Sequence, residues 1–463
     1  MNRHPVGSAR FCGSRRDGSA PTALSAPLTW GQQAIWRPLT WYGENAHYFN
    51  IRRVVAVPTG RTAEQVEAAL GALLSRHEAL RTLFRETGQG PVQEVLPEGT
   101  LPVPRHEAGP DGADAVADRL LGELGGRAFR HAEELPVRCA LVLEQGRPAC
   151  VVLVFSHLGA DYSGSQEALR DLRELLAGRA SPAPAWQPVD QARFEAEGVG
   201  AARGAAALEY WRRTLRRVPP AMFPIPPEDD RPDRFVKLRL DSPAAAVATT
   251  LLADRCQVST GTVLLAATAA VLGAYTGHGT AVLQLIAANR HDERSRRLVA
   301  AMAQDALFAQ DVARGTFDDL VRGTFLTGMN AYRFAQYDPA AMDEVLEEAR
   351  TESGGRLRLV CYFNDKRMLD RWEDLPGTDG SAESLRALTE KTEVTLAGTW
   401  ERQDSAFFVS TGYAPGSCLL HLLADTALIP RPEVERLLRA FETLLVDAAT
   451  GTVELGSYSL RPS

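Results

Sequence analysis

A chain of 463 residues exceeds what one hydrophobic core ordinarily organises, and its size points to two domains. Hydrophobic residues make up 45%, charged residues 24% and aromatics 7%, the balance of a globular chain able to bury a core. A net charge of -7 with a pI near 5.8 offers no basic surface to a polyanion, which argues against nucleic acid as a partner.

Residues 1–22 are basic and rich in Gly, Ser and Arg, with no apolar stretch behind them of the kind a signal peptide carries. A disordered N-terminus over 1–22 is expected. No apolar run approaches the ~18 residues of a membrane span, so no membrane partner and a cytoplasmic location are expected. The six cysteines (Cys12, Cys139, Cys150, Cys256, Cys361 and Cys418) show no CxxC pair and no histidine at ligand spacing. Buried, reduced thiols and no metal site follow as the expectation.

From Leu28 the chain becomes periodic. LTWGQQAIWRPL reads as a short amphipathic helix, and IRRVVAV (51–57) as a strand. Thr62 and Gln65 have capping-box spacing, and Val66, Ala69, Leu70, Leu73 and Leu74 then recur at intervals of three and four, the stripe of a core-facing helix. VRCALVLE (137–144) and ACVVLVFS (149–156), joined by Gln145-Gly146-Arg147-Pro148, predict a hairpin of buried strands. A helix through about Leu176 follows, so His157 is expected at the mouth of a strand, on a loop that a sheet can hold rigidly.

The Pro-rich SPAPAWQP (181–188) predicts the connection between domains. The second half then offers a helix near 206–217, strands at 235–240, 280–288, 357–363, 391–402 and 406–414, and helices at 260–277 and 432–450. The domain expectation is 23–180 for an N-terminal lobe, 181–205 for a linker and 206–463 for a C-terminal lobe. No GxSxG, P-loop, GxGxxG or HExxH occurs, which removes the serine-hydrolase, nucleotide-dependent and metalloprotease readings.

Several segments, in order, resemble the core motifs of nonribosomal peptide synthetase condensation domains. They are LTWGQQAIW (28–36), RHEALRTLF (76–84), SHLGADY (156–162) against a family pattern HHxxxDG, DQARFEAE (190–197) with EYWRRTL (209–215), ANRHDER (288–294) and AQYDP (335–339). The resemblance implies an α/β chloramphenicol-acetyltransferase-like fold: two lobes, each a mixed sheet with helices, forming a V-shaped pseudo-dimer with a central tunnel. It further implies a free-standing acyltransferase of secondary metabolism, with no permanently bound cofactor. Substrates would arrive on the phosphopantetheine of carrier proteins acting in trans, for transfer to an amine or hydroxyl acceptor.

By the same resemblance His157 is the catalytic base. An unperturbed imidazole, pKa near 6.5, is mostly neutral at cytosolic pH and can take the proton of an attacking nitrogen or oxygen. Asp161 and Arg290 are assigned to structural support, a buried carboxylate needing a cationic partner, here one expected from the other lobe. Ser156, Gly159, Tyr162 and Ser163 are the motif neighbours, with the backbone N–H groups of 158–162 as the suggested oxyanion donors. His77 is expected to lock a helix end, with Arg76, Glu78 and Arg81 in local ion pairs, and His131 to be a surface or structural residue.

Two positions depart from the pattern: Ser156 replaces the first histidine, and Tyr162 replaces a glycine whose backbone freedom tyrosine lacks. These keep a second reading open, a catalytically inactive condensation-like module that recruits a carrier protein or tailoring enzyme. A third reading, direct use of acyl-coenzyme A, fits the RHEALRT segment less well.

Overall fold

A computed structural model describes residues 6–13, 23–179, 184, 186–227, 229–367 and 370–460. The chain divides into two compact units, Met1–Gly204 with Ala288–Gln304, and Ala205–Ala287 with Asp305–Ser463.

The first unit contains strands β1 (Val6–Cys12), β2 (Leu24–Pro27) and β3 (Ile51–Ala56), and helices α1 (Trp30–Tyr42) and α2 (Ala63–Arg76). Strands β4 (Thr82–Arg85), β5 (Val92–Val95) and β6 (Glu98–Glu107) precede α3 (Gly112–Gly125), and β7 (Val137–Glu144) and β8 (Arg147–Phe155) lead to α4 (Tyr162–Leu176) and α5 (Pro188–Ala196). Its main sheet runs β1-β6-β7-β8-β3, and a small sheet runs β2-β5-β4. Only the β6–β7 pair of the main sheet is parallel.

The near-continuous apolar composition of β7 and β8 has a direct cause: both faces of this pair are covered. Leu141, Val151, Leu153 and Phe155 pack under α2 and α4, against Leu70, Leu73, Leu169 and Leu172. The alternate residues Ala140, Val142, Cys150 and Val152 face Ala117 and Leu120 of α3.

The second unit is built on a seven-stranded sheet. Its strands lie in the order Gln304–Asp311, Thr280–Ala287, Cys361–Asp365, Phe407–Ala414, Ser417–Asp425, Phe235–Ser242 and Glu393–Trp400. Thr280–Ala287, Cys361–Asp365 and Phe407–Ala414 run parallel, and the last three strands alternate in direction. Val236, Leu238, Leu240, Leu420 and Leu422 point into one core with the apolar helices Pro243–Cys256, Thr260–Thr276 and Arg431–Thr450. Among the described residues no single helix is long and apolar enough to cross a membrane.

Four features differ from the sequence expectations. Val6–Cys12, inside the stretch expected to be disordered, is a strand in full register with Glu98–Pro104, while 1–5 and 14–22 lie outside the described residues. The span 181–205 carries α5 and the start of the helix Gly198–Leu215 instead of a plain linker, and of SPAPAWQP residues 181–183 and 185 lie outside the described residues. Residues 288–304, expected with the second lobe, belong to the first unit, for a reason that the buried carboxylate of Asp161 supplies below. Finally, five cysteines are buried as expected but Cys12 is exposed.

Candidate active site

Strand β8 ends at Phe155, and the six residues that follow turn tightly before α4 begins. The Ser156 carbonyl accepts from the N–H groups of Gly159 at 3.0 Å and Ala160 at 3.1 Å, and its hydroxyl accepts from the N–H of Leu158 at 3.2 Å. Leu158 anchors the turn, buried with Leu28, Leu39 and Phe84. Gly159 is required by packing: a Cβ there would stand 2.7 Å from the Cβ of Pro136. The N–H of Asp161 donates to the Ala300 carbonyl at 3.2 Å. The amides of 158–161 are therefore all committed inside the protein, which leaves Tyr162 as the free N–H of the suggested oxyanion donors 158–162. Among the described residues only the Tyr162 and Ser163 N–H groups of this stretch remain without a partner, as the first two positions of a helix leave them.

Asp161 is the N-cap of α4, its Oδ1 accepting from Gly164 N–H at 2.7 Å. Arg290 grips the carboxylate with both terminal nitrogens, each at 2.8 Å, and the N–H groups of Met302 and Ala303 donate to Oδ2 at 2.9 and 3.1 Å. Arg290 also donates to the Leu298 and Ala300 carbonyls, at 3.2 and 3.1 Å. Five donors thus saturate a carboxylate that is 2% exposed. Burial pushes its pKa up, but Arg290 and the donors outweigh that and hold it below the usual carboxylate value.

This clamp explains why 288–304 sits in the first unit: the segment carries Arg290 and the two amides that neutralise Asp161. The partner arginine therefore comes from distant sequence but from the same unit. Gly164 admits the segment, since a Cβ there would lie 2.8 Å from the Ala300 carbonyl oxygen.

His157 is partly buried, with the Phe49 ring edge-on at 6.5 Å. Its Nδ1 is enclosed and makes no hydrogen bond among the described residues. Burial is the main influence on its pKa and lowers it; Asp161 and its own backbone oppose the shift, and Arg290 adds to it. The ring is therefore neutral at neutral pH. Asp161 is fully engaged elsewhere, so its part is to hold the loop and not to orient the ring by a hydrogen bond.

The motif neighbours divide. Ser156, 1% exposed, bonds through its hydroxyl to Nε2 of His131 at 2.7 Å. His131 is packed among Trp36, Phe84 and Phe129, and burial takes its pKa down to about 4. With Leu39, Arg127 and Phe129 it lines a cavity of about 420 Å³. Nothing local in the sequence signals the His131–Ser156 pair, because the partners lie 25 residues apart.

Tyr162 is not at a positive φ, so the position makes no demand that only glycine could meet. The residue is 38% exposed, with the Arg53 guanidinium 4.7 Å from the ring centroid. Ser163, the next residue of α4, is partly buried. From the RHEALRT segment, His77 reaches not its neighbours but Asp171 of α4, at 3.0 Å, where Arg76 also binds at 2.7 Å. Arg81 and Glu78 do form the local pair, at 3.8 Å.

With this geometry in view, comparison with other proteins is informative. The sequence model of the family described as Condensation domain matches residues 23–302. The chain is 29% identical over 343 residues to phosphinothricin tripeptide synthetase PhsC of Streptomyces viridochromogenes, covering 70% of this chain and 31% of that protein. It spans only 31%, 10% and 4% of the length of three curated relatives that it matches.

Among solved structures, the condensation domain of the Monacolin K polyketide synthase MokA is similar with a TM-score of 0.72 at 18% identity, over 94% of this chain and 100% of that one. The X-domain from teicoplanin biosynthesis is similar with a TM-score of 0.68 at 18% identity, over 94% and 97% of the two chains. At these identities the structural likeness is one of fold.

Proposed function

The chain belongs to the condensation-domain family, and from that premise we propose that it is an acyltransferase joining a carrier-bound thioester to an amine or hydroxyl acceptor, with His157 as the base. A thioester is already activated, so the reaction needs orientation and proton removal but no nucleotide. The acceptor nitrogen or oxygen attacks the thioester carbonyl carbon while the neutral imidazole takes its proton. Collapse breaks the carbon–sulfur bond, the departing sulfur receives a proton from the imidazolium, and the products are an amide or ester and a free phosphopantetheine thiol. Base catalysis of this kind contributes roughly 10²- to 10⁴-fold.

One observation carries this reading: His157 is a partly buried residue with a neutral imidazole, its position set by a loop with every backbone amide from 158 to 161 satisfied and by a saturated carboxylate at 161. Asp161 and Arg290 are positioning residues. An uncommitted pair of amides at 162 and 163 is the remaining backbone source of charge stabilisation in this loop.

The test is His157→Ala, assayed with acyl-loaded carrier protein. A loss of about 10²- to 10⁴-fold in kcat supports the proposal, and unchanged turnover in a folded variant overturns it. An acyl-pantetheine or acyl-coenzyme A donor run in parallel distinguishes dependence on a carrier from direct use of the small thioester.

The likeness to a teicoplanin X-domain, together with Ser156 in place of histidine, favours a second reading, a recruiting module without catalysis. It requires a loaded carrier or a tailoring enzyme to bind with no turnover in the wild-type protein, and with affinity unaltered by His157→Ala.

A further inference from the structure

The second unit's sheet has one face buried under helices and another that those helices do not cover. Val236, Leu238, Leu240, Leu420 and Leu422 occupy the buried face. The alternate residues Lys237 and Arg239 of one strand, and His421 of its neighbour, occupy the other. His421 stands directly opposite Arg239 in the antiparallel register, and Ser410 stands directly opposite His421 on the next strand. On the outer side of the Lys237 strand, Thr395 faces Arg239 and Gly398 faces Lys237. Lys366, just past the end of Cys361–Asp365, completes the group.

Like charges set side by side on a sheet repel. Here Lys237, Arg239 and His421 are also partly buried, and Lys366 alone is exposed. No carboxylate compensates them: among the described residues none of the four takes part in an ion pair. The nearest acids in sequence and register are already engaged. Asp241 accepts from the Ser417 hydroxyl, and Asp365 holds Arg367 at 2.8 Å and the Thr411 hydroxyl at 2.5 Å. The Nε of Arg239 is enclosed without a hydrogen-bond partner.

The charge pattern of the rest of the chain makes this stand out. The chain is acidic overall and has only three lysines, yet two of them meet here. Burial, and then the positive charges of Lys237, Lys366 and Arg239, bring His421 to about 4. A basic cluster with no carboxylate partner among the described residues favours an external anion.

We propose that Lys237, Arg239, His421 and Lys366 form a binding site for the carboxylate of a small organic acid, the acidic group of a substrate of the transfer reaction. Arg239 supplies the planar fork that matches a carboxylate and the two lysines supply charge, while His421, bonded to the Ser410 backbone, stands beside Arg239. That the acid is a substrate rests on the acyltransferase reading; that the site binds it does not.

The three lysines give a direct probe. Protein labelled with [ε-13C]lysine should show three signals, assigned by single Lys→Arg variants. Glutarate should shift the Lys237 and Lys366 signals saturably, leave Lys391 in place, and raise the pH at which Lys366 titrates, because a bound anion favours the ammonium form. Arg239→Gln should weaken glutarate at least tenfold with the three signals otherwise retained.

Absence of any shift, equal shifts at all three lysines, or a response to 4′-phosphopantetheine but not to glutarate would each overturn the proposal, the last by reassigning the site to the carrier arm. Since the readout needs no turnover, the two failures are separable: unchanged turnover in His157→Ala with saturable glutarate shifts fails the catalytic reading alone, and lost turnover in that variant with no glutarate shift in the wild type fails the site alone.

Discussion

Two charged regions of this molecule are built on opposite rules. Around Asp161 the carboxylate meets two guanidinium nitrogens and three backbone amides, so the buried negative charge is fully paired, with only Arg290 Nε of the pair enclosed without a partner. Around His421 three basic side chains gather, with no carboxylate paired to them among the described residues. The first arrangement is stable without any ligand and therefore belongs to architecture. The second is complete only when something negative arrives. Perturbed titration accompanies both, so a shifted pKa alone does not separate a support from a binding site; the inventory of partners does.

The sharpest way to break that distinction is to remove a partner from the saturated region. Arg290→Met should leave a buried carboxylate uncompensated and lower stability by about 3–5 kcal/mol, read from the urea midpoint. Loss of the same size from Arg239→Met would mean that the basic cluster is structural too. Gly159→Val should come next, at about 1–3 kcal/mol, because its side chain meets the Pro136 ring.

Acid tests both regions at once. His131 and His421 each fall to about 4 in the folded protein, against about 6.5 unfolded, so the unfolded chain binds more protons between those values. Their contribution is present above pH 6.5 and is lost as pH falls towards 4, and the melting temperature should drop across that window. His131→Gln should flatten the fall, and glutarate should also flatten it by favouring protonated His421.

The smallest expected effect is that of Tyr162→Gly. It loses the Arg53 contact, worth about 0.5–1 kcal/mol, and gains no conformational relief, because the position is not at positive φ. Its turnover should stay close to that of the wild type.

What the sequence discloses and what it hides follow from the range of the interactions. The capping box at Thr62 and Gln65, the stripe of α2 and the hairpin of β7 and β8 rest on neighbours a few residues apart, and all are legible. The strand Val6–Cys12 is not, because its Gly-Ser-Arg composition carries no strand signal and its partner lies some ninety residues on, in a segment interrupted by Pro102 and Pro104. At the site, the pairing of Asp161 with Arg290 is available through motif order. The bonds of His131 to Ser156 and of His77 to Asp171 span 25 and 94 residues, and no spacing rule reaches them. The basic cluster is hidden for the same reason: Lys237, Lys366 and His421 become neighbours only when the sheet's strand order is known.

The return of residues 288–304 to the first unit also has a bearing on synthesis. A nascent polypeptide stopped between Leu176 and Ala288 would already contain the whole of β8 and α4, yet Asp161 would still lack its guanidinium and two of its amide donors. The earlier-made unit can close only after the Ala205–Ala287 part of the later one has left the ribosome, which couples the maturation of the two and makes any cut at their sequence boundary a cut through the histidine loop's own support.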